Sequence, residues 1–399
     1  MNGLKLGWID FSKEQRNKVI SVINLLSEPE AVDELGIGII RDGFANIFFP
    51  GTSTVQTRAK YFVLVPYILN DLEHKKGMTA DKMLNSLNEQ ELDLIDVLKK
   101  GGEKGVIGEL SGKKLKRKPS DIYWNGIRTY GIFTGGKMSL SNYARLSNLV
   151  KDKQQKTKEQ GSLNYKDDET DGDDLNAVSS EFSGFWKLPD YPVDWKEELS
   201  IKLSYEEAKF LKNQIGLSCP DSILGYVLKN NYSDFLMFES FDDIEGMINL
   251  FPENIKSDYL MAKEFADFIL GAHLRYNVIL SKGEDDDILS EWKLWQSEMK
   301  SYAGINLYNI FNRLNVTNIK LKRFLIDYQD AILKNDIEKL DDVVINREIS
   351  IKGNKRSKLY NADEFDYEGW IGIRKLQYRL RNGQNVLKDI FEGLGDKDV

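Results

Sequence analysis

Apolar positions in this chain recur mostly three and four residues apart, the period of a helix with one buried face. Ile37 to Phe49 shows this spacing around Arg41 and Asp42, and Ser53 to about Lys75 carries the run YFVLVPYIL, where Pro66 predicts a kink in a buried helix. Thr79 to Lys100, Pro119 to Ile132, Ser257 to Leu280, Ile288 to Met299 and Ile319 to Leu340 repeat the pattern. Two starts are marked by capping boxes: Ser12 with Gln15 ahead of a helix through Leu26, and Ser204 with Glu207 opening YEEAKFLKNQI. A last amphipathic stretch, Tyr367 to Leu394, bears Arg374, Arg379 and Arg381, with Gly383 as a weak point inside it. Alternation of period two is rare, and Val343 to Ile351 is the best strand candidate. No repeat of solenoid length is present. The expected fold class is therefore mainly α and multi-helical, with at most a small β element.

The 399 residues exceed one simple core, and composition suggests two domains: a basic helical one over 1–150 and a helical one over 182–399, joined by an acidic linker or long loop over 151–181. No apolar run approaches the roughly 18 to 20 residues needed to cross a bilayer, so no membrane partner is expected. A single cysteine, Cys219, and a start without signal-peptide character fit a reducing cytoplasm. Two histidines are few for a transition-metal or histidine-based catalytic site; His74 reads as a solvated helix end and His273 as a core or interface residue. No cofactor is expected.

Charge is uneven. The whole chain is formally −8, yet residues 1–150 hold 21 Lys and Arg against 17 Asp and Glu, and Lys99 to Arg128 holds nine basic residues against three acidic ones. Within SGKKLKRKPSDIYWNGIR, the cluster Lys113, Lys114, Lys116, Arg117 and Lys118 would attract a polyanion such as DNA or RNA. Tyr123 and Trp124 are candidates for stacking on unpaired bases, and Arg128 for a further contact. The plainer reading is a solvated lysine loop followed by core aromatics.

Motifs that resemble catalytic ones fail on chemistry. Gly131 to Lys137, GIFTGGK, has P-loop spacing, but Met138 stands where a hydroxyl should reach magnesium, so it reads as a glycine-rich turn. Asp287 with Glu291 and Lys293 has the letters of a magnesium-dependent nuclease, but on a helical pattern. The densest polar cluster in apolar surroundings is Arg41, Asp42, Ser53, Gln56 and Arg58, within IRDGFANIFFPGTSTVQTRAKYF. Ser53 and Gln56 could cap a helix whose first amides, with Arg58, bind an anion. Alternatively the cluster is a polar network fastening two helices, with Asp10 as a further member.

These segments also carry a family resemblance. GWIDFS from Gly7, DELG from Asp33, the stretch Ile40 to Phe62, GVIGELSGKKLKRKPSDIYWNGIRTYGI and the closing QYRLRNGQNVLKDIFEGL resemble an uncharacterised bacterial domain-of-unknown-function family. The resemblance brings no activity with it. It implies an accessory role beside helicase-type genes of mobile-element or phage-defence clusters. The expected function is thus a non-catalytic nucleic-acid-binding component working with a helicase or nuclease. The alternatives are a scaffold without nucleic-acid contact and, further off, a magnesium-dependent nuclease.

Overall fold

The computed structural model describes residues 33–160, 184–197 and 199–395. In chain order its α-helices are α1 (Gly38–Phe48), α2 (Tyr61–His74), α3 (Ala80–Lys100), α4 (Pro119–Thr129), α5 (Leu140–Gln160), α6 (Tyr205–Ser218) and α7 (Ile223–Asn230). There follow α8 (Glu253–Leu280), α9 (Asp286–Tyr302), α10 (Leu307–Arg313), α11 (Ile319–Leu333), α12 (Ile337–Lys352) and α13 (Leu380–Leu394). Among the described residues there is no strand, only an isolated antiparallel bridge between Phe133 and Trp186. The chain is mainly α.

The described residues fall into two units, each assembled from separated stretches: residues 45–256 with 377–395, and residues up to Phe44 with Ser257–Leu376. Charge and hydropathy along the chain do not report which distant stretches pack together, and the expected division at 150 and 182 does not follow these units. Residues 151–160 continue α5, while 161–181 of the expected linker, the Ser12 capping box and Asp10 lie outside the described residues.

In the unit containing α2, that helix is the centre. Every residue from Tyr61 to Leu69 is buried, including Pro66, whose ring removes the N–H that would otherwise bond to the carbonyl of Phe62. Helices α3 and α4 pack on it, α5 packs on α3, and α13 packs on α6 and α7. The box at Ser204 forms as expected: Ser204 Oγ accepts from Glu207 N at 3.3 Å, and Glu207 Oε2 accepts from Ser204 N at 2.8 Å. Gly383, expected as a weak point, is a close-packing position, because a Cβ there would collide with the ring of Phe49.

In the other unit α11 packs against α9, α10 and α12. The pattern over Ile319 to Leu340 is not one helix. It breaks at Asn335, which has φ +54, and Asp336 then caps α12 by accepting from Lys339 N at 2.9 Å. The strand expected over Val343 to Ile351 is helical, because its buried positions are Leu340, Val343, Val344, Arg347 and Glu348, a helical rather than an alternating set. Glu348 is completely buried and accepts from Tyr276 Oη, Lys352 Nζ and Ser357 Oγ at 2.7 Å each, and from Leu359 N at 2.8 Å. The stretch from Tyr367 is also not helical until Leu380. Its backbone is held instead by Asn277, which donates to Ile371 O at 3.0 Å and accepts from Ile371 N at 2.7 Å.

Candidate functional site

The connection between α3 and α4 holds the lysine cluster. It leaves α3 at Lys99 and Lys100 and buries Val106 and Ile107. There Tyr61 Oη accepts from Ile107 N at 2.9 Å, and Thr57 Oγ1 donates to Gly105 O at 2.6 Å. Gly108 has φ +86, and its open side faces Ile95, where a Cβ would lie 2.7 Å from Ile95 Cδ1. The chain then turns back along α3. Lys99 Nζ donates to Glu109 O at 3.0 Å, a 3-10 turn over Gly112–Lys114 packs on the helix, and Ser120 reaches Glu91. The eight-residue path from Lys99 back to Glu91 is about 12 Å of helix.

Glu91 is the anchor of this connection. It is 3% exposed and accepts from Ser120 N at 2.5 Å and from Ser120 Oγ at 2.9 Å, fixing the start of α4. Burial pushes its carboxyl up to about 8, against the lowering effect of the two Ser120 bonds. Nothing in the sequence around Glu91 distinguishes it from other acidic residues of an amphipathic helix.

Above this anchor Lys99, Lys100, Lys104, Lys113, Lys114 and Lys116 are exposed, and Arg117 and Lys118 are half-buried. Lys113 lies 3.9 Å from Asp93, with side chains 74% and 69% exposed, a pairing weak enough in water to leave the lysine available. Glu103, the acidic residue before Lys104, is engaged by Lys202 at 2.8 Å. Asp93, Asp96 and Glu109 are exposed acidic residues along the same path, and Asp121 is exposed at the start of α4.

The aromatic candidates are not part of that surface. Tyr123 is wholly buried, and its hydroxyl accepts from Thr57 N at 2.9 Å and Arg58 N at 3.1 Å while donating to Arg58 O at 2.8 Å. Trp124 is 8% exposed, donates from Nε1 to Met138 O at 3.1 Å and packs among Phe133, Tyr143 and Trp186. Neither ring has a free face for a base, so the expected stacking role is corrected. Arg128 donates to Lys137 O at 2.7 Å and to Asn125 Oδ1 at 3.2 Å, fastening the end of the P-loop look-alike to α4.

The polar cluster is also redistributed. Arg41 and Asp42 pair with each other at 3.1 Å in one unit, while Ser53, Gln56 and Arg58 belong to the other. No helix begins at Ser53. Gln56 is buried and donates to Gly51 O at 3.0 Å, and the amides of Thr57, Arg58 and Ala59 are taken by Tyr123 and Asp389 rather than by helical carbonyls. Arg58 is occupied by Asp389, with Nε at 2.9 and 3.1 Å from its two oxygens, and by Lys104 O at 3.0 Å. The anion-site reading is thereby replaced by a structural pair, and its partner comes from α13 rather than from Asp42.

The remaining catalytic look-alikes are accounted for. Glu291 forms an ion pair with Arg374, and Asp287, Glu291 and Lys293 all sit on α9. Among the described residues no group of three or more His, Cys, Asp or Glu is arranged to hold a metal ion. His74 is exposed at the end of α2, and His273 is buried with Nδ1 3.1 Å from Arg374 O, its basicity lowered by burial. An open hollow of about 520 Å³ in the unit of α8 is lined by Glu284, Asp285, Asp366 and Glu368 against the single cation Lys282, a net negative charge that repels polyanions. No described helix is long and apolar enough to cross a membrane.

A model described as a family of unknown function (DUF6361) matches residues 4–293, more than half of the chain. No curated protein and no solved structure matches.

Proposed function

Since the chain belongs to the DUF6361 family, whose description supplies no activity, we propose from its own residues that it is a non-catalytic nucleic-acid-binding component. Its contact surface is the rim formed by Lys99, Lys100, Lys104, Lys113, Lys114 and Lys116. The observation that carries this reading is that these six lysines, at the end of α3 and in the connection after it, are exposed, with Lys99 also bonded to Glu109 O, while the arginines that looked like anion binders, Arg58 and Arg128, are held by internal bonds. Duplex DNA presents a phosphate about every 3.4 Å along each strand, so about 12 Å of rim faces three or four phosphates of one strand. Contacts of this kind position a nucleic acid without reading its sequence. The chemistry on that nucleic acid falls to a partner, a helicase or nuclease of the same bacterial defence or mobile-element cluster, in the cytoplasm.

The test is the salt dependence of binding. Each phosphate neutralised on duplex DNA contributes about 0.9 to the slope of log K against log salt, so replacing Lys113, Lys114 and Lys116 by alanine removes about 2.7 from its magnitude. These side chains are exposed, so the fold survives their loss. An unchanged slope overturns the assignment. Binding of a partner protein with no salt-dependent nucleic-acid affinity favours the scaffold reading instead.

A further inference from the structure

Leu110 is 101% exposed, in a connection whose other aliphatic residues are drawn inward: Val106 is 5% and Ile107 8% exposed. Single exposed leucines are common on protein surfaces. What separates this one is its mounting. The turn that carries it is closed by Gly112 N donating to Gly108 O at 2.7 Å and Glu109 N donating to Val106 O at 3.1 Å. Lys99 fastens its near side through Glu109 O, and Gly108 seats it over Ile95 and Leu115. An apolar side chain is thus held out from a braced turn, with Lys113, Lys114 and Lys116 within six residues of it.

We propose that Leu110 is an apolar wedge that enters duplex DNA between adjacent base pairs while the surrounding lysines hold the phosphate backbone. This rests on the nucleic-acid reading above and adds to it the kind of nucleic acid and what is done to it. Two observations select a duplex. Proteins that hold unpaired strands combine a basic groove with aromatic platforms, but no aromatic residue occurs from Gly101 to Asp121, and the rings just beyond, Tyr123 and Trp124, are buried. Leucine is, in contrast, among the side chains that pry base steps apart and bend the helix, with flanking cations supplying the attraction that offsets unstacking.

The experiment uses the full chain and a short duplex carrying 2-aminopurine at its central steps, whose emission rises when stacking is lost. Wild-type protein is expected to raise the emission as it binds at low salt. Leu110→Ala is expected to bind with the wild-type salt slope but without the rise, and Leu110→Met to restore it. The proposal is overturned if wild type binds the duplex without the rise, or if Leu110→Ala gives the wild-type rise. It is equally overturned if Leu110→Ala loses binding to vesicles of phosphatidylserine and phosphatidylcholine while its behaviour on the duplex is unchanged. Absence of any salt-dependent duplex binding by wild type sinks the underlying nucleic-acid reading as well, which distinguishes that failure from failure of the wedge alone.

Discussion

Replacing Glu91 by glutamine tests the anchor beneath the basic connection. The carboxyl is buried, and that burial pushes it up from its ordinary value near 4.5 to about 8. In the unfolded chain it releases its proton near its ordinary value; in the folded chain it keeps it. Between those two values the native state therefore binds more protons, and stability falls as pH rises through the window. At 1.36 kcal/mol per pH unit, the full effect is about 5 kcal/mol, spread between roughly pH 4.5 and 8 and constant above it. Glutamine is neutral throughout, retains an oxygen to accept from Ser120 N and places its amide against Ser120 Oγ. Urea unfolding of wild type and Glu91→Gln at pH 5, 6.5 and 8.5, followed by tryptophan emission, isolates the contribution as the difference between the two proteins. The variant should gain on wild type steadily as pH rises. Parallel stability curves over that range would show that Glu91 is already ionised when folded, and the burial argument would fail.

Two further outcomes follow from the same packing. Asp389→Ala leaves the largely covered Arg58 without its carboxylate and Ala59 N without its acceptor at 2.6 Å, so unfolding measurements should show a loss of about 3 kcal/mol, and Arg58→Ala combined with it should cost less than the sum of the two single changes. Tyr123→Phe strands the amides of Thr57 and Arg58 and should cost about 1–3 kcal/mol for each amide left unsatisfied, while leaving nucleic-acid affinity at matched folded fraction unchanged; a specific drop in affinity would restore Tyr123 to the binding surface.

The lysine cluster shows what is legible in a sequence. Five cations in six residues next to a proline that starts a helix cannot all be buried without partners, so the exposure of Lys113, Lys114 and Lys116 follows from composition, while Arg117 and Lys118 are half-buried. The rings two turns later carry no such constraint. Tyr123 and Trp124 suit a core as well as a base-stacking surface, and only the arrival of residues 57–58 and Met138 against them decides which. The same holds for Arg58: an arginine in apolar surroundings requires a partner, but nothing local points to Asp389, more than three hundred residues away.

Helix periodicity, the capping box at Ser204 and the scarcity of alternating stretches determined by themselves that this chain is mainly α-helical, because those signals act within a turn or two of backbone. Tertiary structure decided where other helices begin. The amides of 57–59 are taken by side chains from α4 and α13, so α2 starts eight residues later than its pattern suggests, and Asn277 holds the backbone at Ile371 out of helix. A hydrogen bond from a distant side chain satisfies an amide as well as a helical carbonyl does, and when it comes with burial it prevails over the weaker local preference.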